Sequence, residues 1–276
     1  MTLAPAPPRA ATEHPPSTTV DIGGVALELL HLPGPHTDRA PLVFLHEGLG
    51  SVDLWGQKDH YWPATLCAAT GRSGWVWSRR GYGRSDPIPD VRGSGRHGPD
   101  YMHRAAWDTL PQLLRVCGVE RPVLVGHSDG ATIALLHASR HPVTACVAMA
   151  PHVFVEDVAL RAIEQAREAY LHTPLRERLA RYHRDVDNAF WQWNDVWLSA
   201  PFRAFDIRTE CAAITAPLLL IQGEDDEYGT MAQLDDTARA VPHAQRLALP
   251  GCGHSPHRDQ AEAVTRAITD FLAPLA

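Results

Sequence analysis

The chain has a single lysine, Lys58, among its 25 basic residues, against 32 acidic ones, for a formal net charge of −7. A mildly acidic chain with scattered arginines argues against nucleic acid as a principal partner. No apolar run approaches the roughly 20 residues needed to cross a bilayer, so no membrane-spanning helix is expected. Cysteine is sparse and odd in number: Cys67, Cys117, Cys146, Cys211 and Cys252 are widely spaced, and no CxxC pair appears. Neither a zinc ribbon nor a redox motif is supported, and reduced thiols packed as small hydrophobes are expected. Gly-rich dinucleotide and P-loop signatures are also missing, so no cofactor is expected. The first nineteen residues are rich in Pro, Ala and Thr, with no basic segment leading into an apolar one. They do not read as a signal peptide, and the cytoplasm is the expected compartment.

What is present is an ordinary globular composition, 45% hydrophobic and 21% charged over 276 residues, with unusually many His (16) and Trp (8). That length fits one large domain, or one domain carrying an insertion. Residues 1–19 are expected to be a flexible extension. Val20–Ile22 and Val25–His31 then read as a hairpin turned at Gly23–Gly24. Short continuous apolar runs, as in strands covered on both faces, occupy Pro41–His46, Gly74–Ser78, Pro122–Gly126, Val143–Ala150, Pro217–Gln222 and Arg246–Leu249. Helical spacing marks Arg104–Cys117, Ala131–Ser139 and a closing helix over Pro256–Leu272. Strand–helix alternation predicts an α/β fold, a mostly parallel central sheet wrapped by helices. Residues 20–151 and 216–276 form this core. From His152 to about Thr215 no strand is evident, only helical segments dense in charge and aromatics, which marks an insertion.

The most informative residues are Gly126-His127-Ser128-Asp129-Gly130, a G-x-S-x-G sequence where a strand hands over to a helix. A sharp strand-to-helix turn lifts a serine hydroxyl out of the sheet and needs small neighbours. The helix N-terminus behind it favours developing negative charge. A serine needs a base. His254, directly after the last strand, is the candidate, with His257 the nearest rival. The base needs an orienting acid. Gly223-Glu224-Asp225-Asp226-Glu227 follows the strand Pro217–Gln222, and Asp226 is the choice there over Asp225. The order Ser128, Asp226, His254 is that of the α/β-hydrolase triad. Backbone N–H groups to hold an oxyanion are expected from Asp129 and from the turn His46-Glu47-Gly48-Leu49-Gly50-Ser51.

On these residues, and on Arg80-Gly81-Tyr82-Gly83-Arg84-Ser85-Asp86, the chain resembles the α/β-hydrolase superfamily from about residue 17 onward. In relatives the acid commonly stands three residues after a glycine, which favours Asp226. Relatives usually carry His-Gly-x in the first turn. Here Glu47 takes the glycine's place, so alignment on His46 puts the oxyanion donor on Gly48, with Leu49 in reserve. Glu47 reads as a structural anchor bonded to nearby backbone or Arg. Carbon–carbon hydrolases of aromatic degradation often have Trp after the histidine, where this chain has Ser255.

The resemblance makes residues 152–215 a helical cap over the site. Phe190, Trp193 and Trp197 fall at i, i+3, i+7, one helical face that reads as cap core more readily than as substrate wall. His152, Phe154, Trp191, Trp193 and Trp197 are the substrate-binding candidates. His183 and Asp185 have no second pair to complete a metal site, and no metal is expected. The expected activity is hydrolysis of a small or medium carboxylic ester through an acyl-enzyme. The alternatives are a carbon–carbon, lactone, amide or thioester bond cleaved by the same triad, or a non-catalytic small-ligand binder on this scaffold. Oligomeric state is not readable.

Overall fold

The computed structural model describes residues 14–57 and 60–275. Most of the expected N-terminal extension, residues 1–13, lies outside the described residues. Eight strands form one sheet: β1 (Thr18–Ile22), β2 (Val25–Leu32), β3 (Leu42–Leu45), β4 (Gly74–Trp77), β5 (Val123–His127), β6 (Ala145–Met149), β7 (Leu218–Gly223) and β8 (Gln245–Leu249). Their order is β1-β2-β4-β3-β5-β6-β7-β8. The hairpin β1–β2 and the pairing of β2 with β4 are antiparallel, and every pairing from β4 through β8 is parallel. Thr18 and Thr19, placed in the extension by the sequence, belong to the hairpin instead. They pair with Leu29 and Glu28.

Helices cover both faces. One face carries α1 (Trp62–Thr70), which the sequence reading did not anticipate, and the C-terminal helices. The other carries α2 (Tyr101–Arg104), a π-helical turn (Ala105–Thr109) and α3 (Leu110–Val116), together with the fully buried α4 (Asp129–Ala138). The sequence reads 104–117 as one uniform helix, but Pro111 has no N–H to give the carbonyl four residues back. The widened turn just before it absorbs that missing bond.

Between β6 and β7 lie α5 (Asp157–His172), α6 (Leu175–Leu179), α7 (Val186–Trp197) and α8 (Arg208–Cys211). Asp185 caps α7 by accepting from the Asn188 N–H, as an N-cap carboxylate should. Phe154 and Asp206 make one isolated bridge, and no named strand occurs there among the described residues. After β7 comes α9 (Ala232–Ala240), and after β8 come α10 (Pro256–Asp259) and α11 (Ala261–Leu272). The expected closing helix is thus broken at Gln260, whose φ of −135° and ψ of 50° leave the helical region. Its side-chain amide donates to the Pro250 carbonyl, 2.8 Å away. Among the described residues, no helix is long and apolar enough to cross a membrane. All five cysteines are free, and four are buried.

In a parallel sheet the loops at the carboxyl ends of the strands share one edge, and ligands bind there. Here that edge gathers Ser128 after β5, Gly48 after β3, His152 after β6, Asp226 after β7 and His254 after β8.

Candidate active site

Ser128 occupies a backbone conformation unusual for a side-chain-bearing residue, φ 54° and ψ −120°. Its N–H is tied to the Met149 carbonyl of β6 at 2.9 Å. The flanking glycines are demanded sterically. A Cβ on Gly126 would meet the Gly130 carbonyl oxygen at 2.4 Å, and one on Gly130 would meet the Leu45 oxygen at 2.0 Å. The strand can therefore pass into α4 only with no side chain at positions 126 and 130, and the strain at Ser128 is held by the surrounding packing.

Ser128 Oγ lies 2.9 Å from Nε2 of His254. The other ring nitrogen, Nδ1, is 2.8 and 3.0 Å from the two oxygens of Asp226. The Asp226 carboxylate also accepts from the N–H groups of Tyr228 and Gly229 and from the Gln222 side chain. Burial pushes Asp226 up, but the hydrogen bond and charge of His254 outweigh it and hold the carboxyl below its usual range. Asp225 is exposed and takes no part. His257 is fully buried against Trp55, Trp62 and His127, away from the serine.

The loop carrying His254 is anchored at three points, one of them the His254 N–H, which Glu227 accepts at 3.1 Å. Asp259 accepts the Gly253 N–H at 2.9 Å, and the His254 carbonyl accepts from His127 Nε2 at 2.7 Å. On the opposite ring nitrogen, His127 Nδ1 faces Glu47 at 3.5 Å, and Glu47 also pairs with Arg258 at 3.7 Å. Burial opposes the charge on Glu47, yet His127 and Arg258 hold its carboxyl well below the ordinary value. Glu47 thus spans from the turn after β3 to the serine turn and the last loop. His183, considered above as half of a metal pair, bonds instead to the Gly83 N–H and the Leu49 carbonyl, both at 3.0 Å. It ties the helical stretch between β6 and β7 to the same turn.

A cavity of about 180 Å³ opens over Ser128. Gly48, Leu49 and Asp129 line it, as do His152, Trp193 and Trp197. Phe154 and Trp191 do not. The Phe154 ring lies under the Arg208 guanidinium, and Trp191 under that of Arg92, both turned away from the serine. Counting residues along α7 shows that Trp191 and Trp193 point about 200° apart, so both could not face one cavity. The stripe Phe190, Trp193 and Trp197 divides its work. Phe190 stacks on Tyr170, while the two tryptophans close the cavity. Ile163, Glu227, Tyr228 and Ser255 also line it, unanticipated by sequence. Glu227 and Tyr228 follow Asp226 directly, and that adjacency was the available signal.

The side chain of Asp129 faces away from the cavity. Its carboxylate accepts from Tyr101 Oη at 2.6 Å and Trp197 Nε1 at 3.3 Å, with Arg79 3.7 Å away. Burial raises its carboxyl above the usual range despite Arg79. His152 is held neutral, its imidazole pushed down to about 3 by burial and by the neighbouring His254.

Comparison with known proteins agrees with this architecture. The 2-(acetamidomethylene)succinate hydrolase of Mesorhizobium japonicum is 25% identical, over 95% of this chain and 97% of that protein. The sn-1-specific diacylglycerol lipase of Mus musculus is 25% identical over 84% of this chain and 80% of its own. The crystal structure of E-2-(acetamidomethylene)succinate hydrolase superposes with a TM-score of 0.69 at 21% identity, covering 94% of this chain and 100% of that one. A model of the alpha/beta hydrolase family matches residues 42–267, from β3 into α11. On that match the chain belongs to the α/β-hydrolase family.

Proposed function

We propose that the protein hydrolyses small carboxylic esters through an acyl-enzyme on Ser128. The observation that carries this reading is the continuous relay from Ser128 Oγ through His254 to Asp226. His254 Nε2 takes the hydroxyl proton as Oγ bonds to the ester carbonyl carbon. Asp226 keeps Nδ1–H in place and stabilises the imidazolium that forms. The N–H groups of Gly48 and Asp129 receive the oxyanion, with Leu49 beside them. Collapse breaks the bond to the alkoxide, which leaves with the proton from His254. Water, deprotonated by the same imidazole, then attacks the acyl carbon and releases the acid and free Ser128.

Cavity size and lining favour a small, uncharged substrate. An engineered cavity of about 150 Å³ holds benzene, so 180 Å³ accommodates little more than an acyl group of that bulk. Glu47 and Glu227 line the cavity, and among the described residues no Arg or Lys does. That lining opposes a dicarboxylate such as the one named for the similar succinate-derivative hydrolase. Trp193, Trp197 and Ile163 supply apolar walls, and neutral His152 offers a polar contact that leaves the charge unchanged.

The test is turnover of p-nitrophenyl acetate and butyrate by the wild type and Ser128→Ala, with a serine-directed phosphonate as a trap. The wild type should turn over and form one adduct that Ser128→Ala does not form. Absence of both turnover and adduct overturns the ester reading.

A further inference from the structure

The peptide joining Glu47 to Gly48 is held by more donors than a turn needs. A carbonyl oxygen has two lone pairs, yet the Glu47 carbonyl accepts from three groups. They are the Gly50 N–H at 3.1 Å, His46 Nδ1 at 2.7 Å and the Arg79 guanidinium at 3.0 Å. Residue 79 also sets the histidine. Its backbone N–H donates to His46 Nε2 at 3.0 Å, which leaves the imidazole proton on Nδ1, facing that carbonyl. Burial and the nearby Arg79 charge keep His46 neutral, as this pattern requires.

The Gly50 N–H bond is an ordinary turn closure, and the turn by itself has no need of a cation. Arg79 is buried, its guanidinium lies over the Tyr82 ring, and its other arm donates to the His46 carbonyl at 2.5 Å. The carboxylate it pairs with, Asp129, stands off at 3.7 Å. Taking a guanidinium out of water is costly, and carbonyl partners repay it less fully than a contacting carboxylate would. What the arrangement secures is direction. The Glu47 carbonyl and the Gly48 N–H are opposite ends of one trans peptide, so they point in opposite directions. With the carbonyl drawn to Arg79, the N–H is turned the other way. Gly48 lines the Ser128 cavity, and Arg79 does not. Donation to the carbonyl also polarises the peptide and strengthens its N–H as a donor. The same guanidinium nitrogen faces the carboxylate of Asp129, whose backbone N–H is the other donor proposed for the oxyanion.

We infer that Arg79 is a positioning residue for the oxyanion: it fixes and polarises the 47–48 peptide so that the Gly48 N–H meets the negative oxygen formed over Ser128. It touches neither the substrate nor the reacting atoms. The inference rests on the acyl-enzyme reading and adds to it a residue that lies outside the cavity.

Turnover of p-nitrophenyl acetate and of its thiono analogue, with sulfur in place of the carbonyl oxygen, separates this role from a structural one, because sulfur accepts hydrogen bonds weakly. A well-placed N–H favours the oxygen ester. Arg79→Ala should lower kcat for that ester by about 10²-fold, the effect of one lost oxyanion donor, with KM little changed. The thiono ester should slow much less, so the rate ratio of the two esters should fall by about tenfold or more. Loss of folded protein scales both rates alike and leaves the ratio unmoved. Arg79→Lys keeps the charge but offers one ammonium in place of two N–H arms, and its ratio should fall between those of the wild type and Arg79→Ala. An unmoved ratio in the variants that fold overturns the inference about Arg79 alone, whatever the loss of rate. If the wild type turns over neither ester and takes no phosphonate adduct, the acyl-enzyme reading falls, and this inference with it.

Discussion

Replacing Gly48 by alanine tests the assignment of the oxyanion donors with a perturbation of one methyl group. A Cβ at position 48 would lie 2.2 Å from Nε1 and 2.5 Å from Cδ1 of Trp193, whereas ordinary contact begins near 3.4 Å. Either the indole or the turn after β3 must therefore yield by about 1.2 Å. Trp193 is 6% exposed and packs edge-on against Phe190, so it has little room to retreat. The turn is the softer partner, and moving it displaces the Gly48 N–H from the oxyanion. Loss of one such donor costs on the order of 10²- to 10³-fold in kcat, and a misplacement of about 1 Å alone can cost 10²-fold. The expected result with p-nitrophenyl acetate is a fall in kcat of about 10²-fold. The phosphonate should react more slowly by a comparable factor, because its transition state also develops an oxyanion. Trp193→Leu in the same chain removes the obstructing ring and should restore part of the rate. A wild-type kcat in Gly48→Ala would refute the reasoning, whatever the stability of the variant.

Other outcomes follow from the same geometry. Asp226→Asn should lower kcat by about 10³- to 10⁴-fold through loss of the orienting carboxylate, while Asp225→Asn, on an exposed side chain, should leave it unchanged; equal effects of the two would reassign the acid. A series of p-nitrophenyl esters should show kcat/KM dropping once the acyl chain exceeds about six carbons, the bulk that a cavity near this volume holds; a flat profile to dodecanoate would mean that the Ser128 cavity opens further than its walls suggest. Acid should destabilise the fold through buried imidazoles. Burial, in each case against a bonded acceptor, pushes His97, His137 and His183 down to about 4. The unfolded chain takes up their protons first, so the stability they contribute is complete above about pH 6.5 and is lost as pH falls toward 4. At pH 5 the loss is on the order of 2 kcal/mol per residue, a large part of a typical 5–15 kcal/mol. A urea midpoint that did not move between pH 7 and pH 5 would contradict this.

Much of the sheet was readable because β3, β5, β6 and β7 are short, unbroken apolar runs, as a strand covered on both faces requires. The serine turn was readable for a steric reason: close backbone approach at Gly126 and Gly130 leaves a signature in residue type. Helix α1 was missed although its ends carry punctuation, Pro63 in the first turn and Gly71 with φ of +66° at the close. Trp62, Leu66 and Cys67 are buried, but Ala64, Ala68 and Ala69 make up much of the other side, so no clean polar face contrasts with the apolar one. The walls of the cavity were harder still. Trp191 and Trp193 are alike in composition, and only the docking of α7 decides which reaches Ser128. Phe154 follows His152 closely in sequence but is carried off by the bridge to Asp206. The three donors on the Glu47 carbonyl leave no trace in a sequence, since pairing is a property of the assembled fold.

The loop after β8 gives the protein a built-in timer. His254 meets Ser128 across 126 residues of chain, and its anchors come from His127 and from Asp259 beyond it. Contacts of such long sequence separation are among the last that a folding chain closes. During synthesis the Ser128–His254 contact therefore cannot form until the chain has emerged past the loop after β8 and that strand has joined the edge of the sheet. Under the proposed function, ester hydrolysis during refolding should then trail the recovery of helical signal.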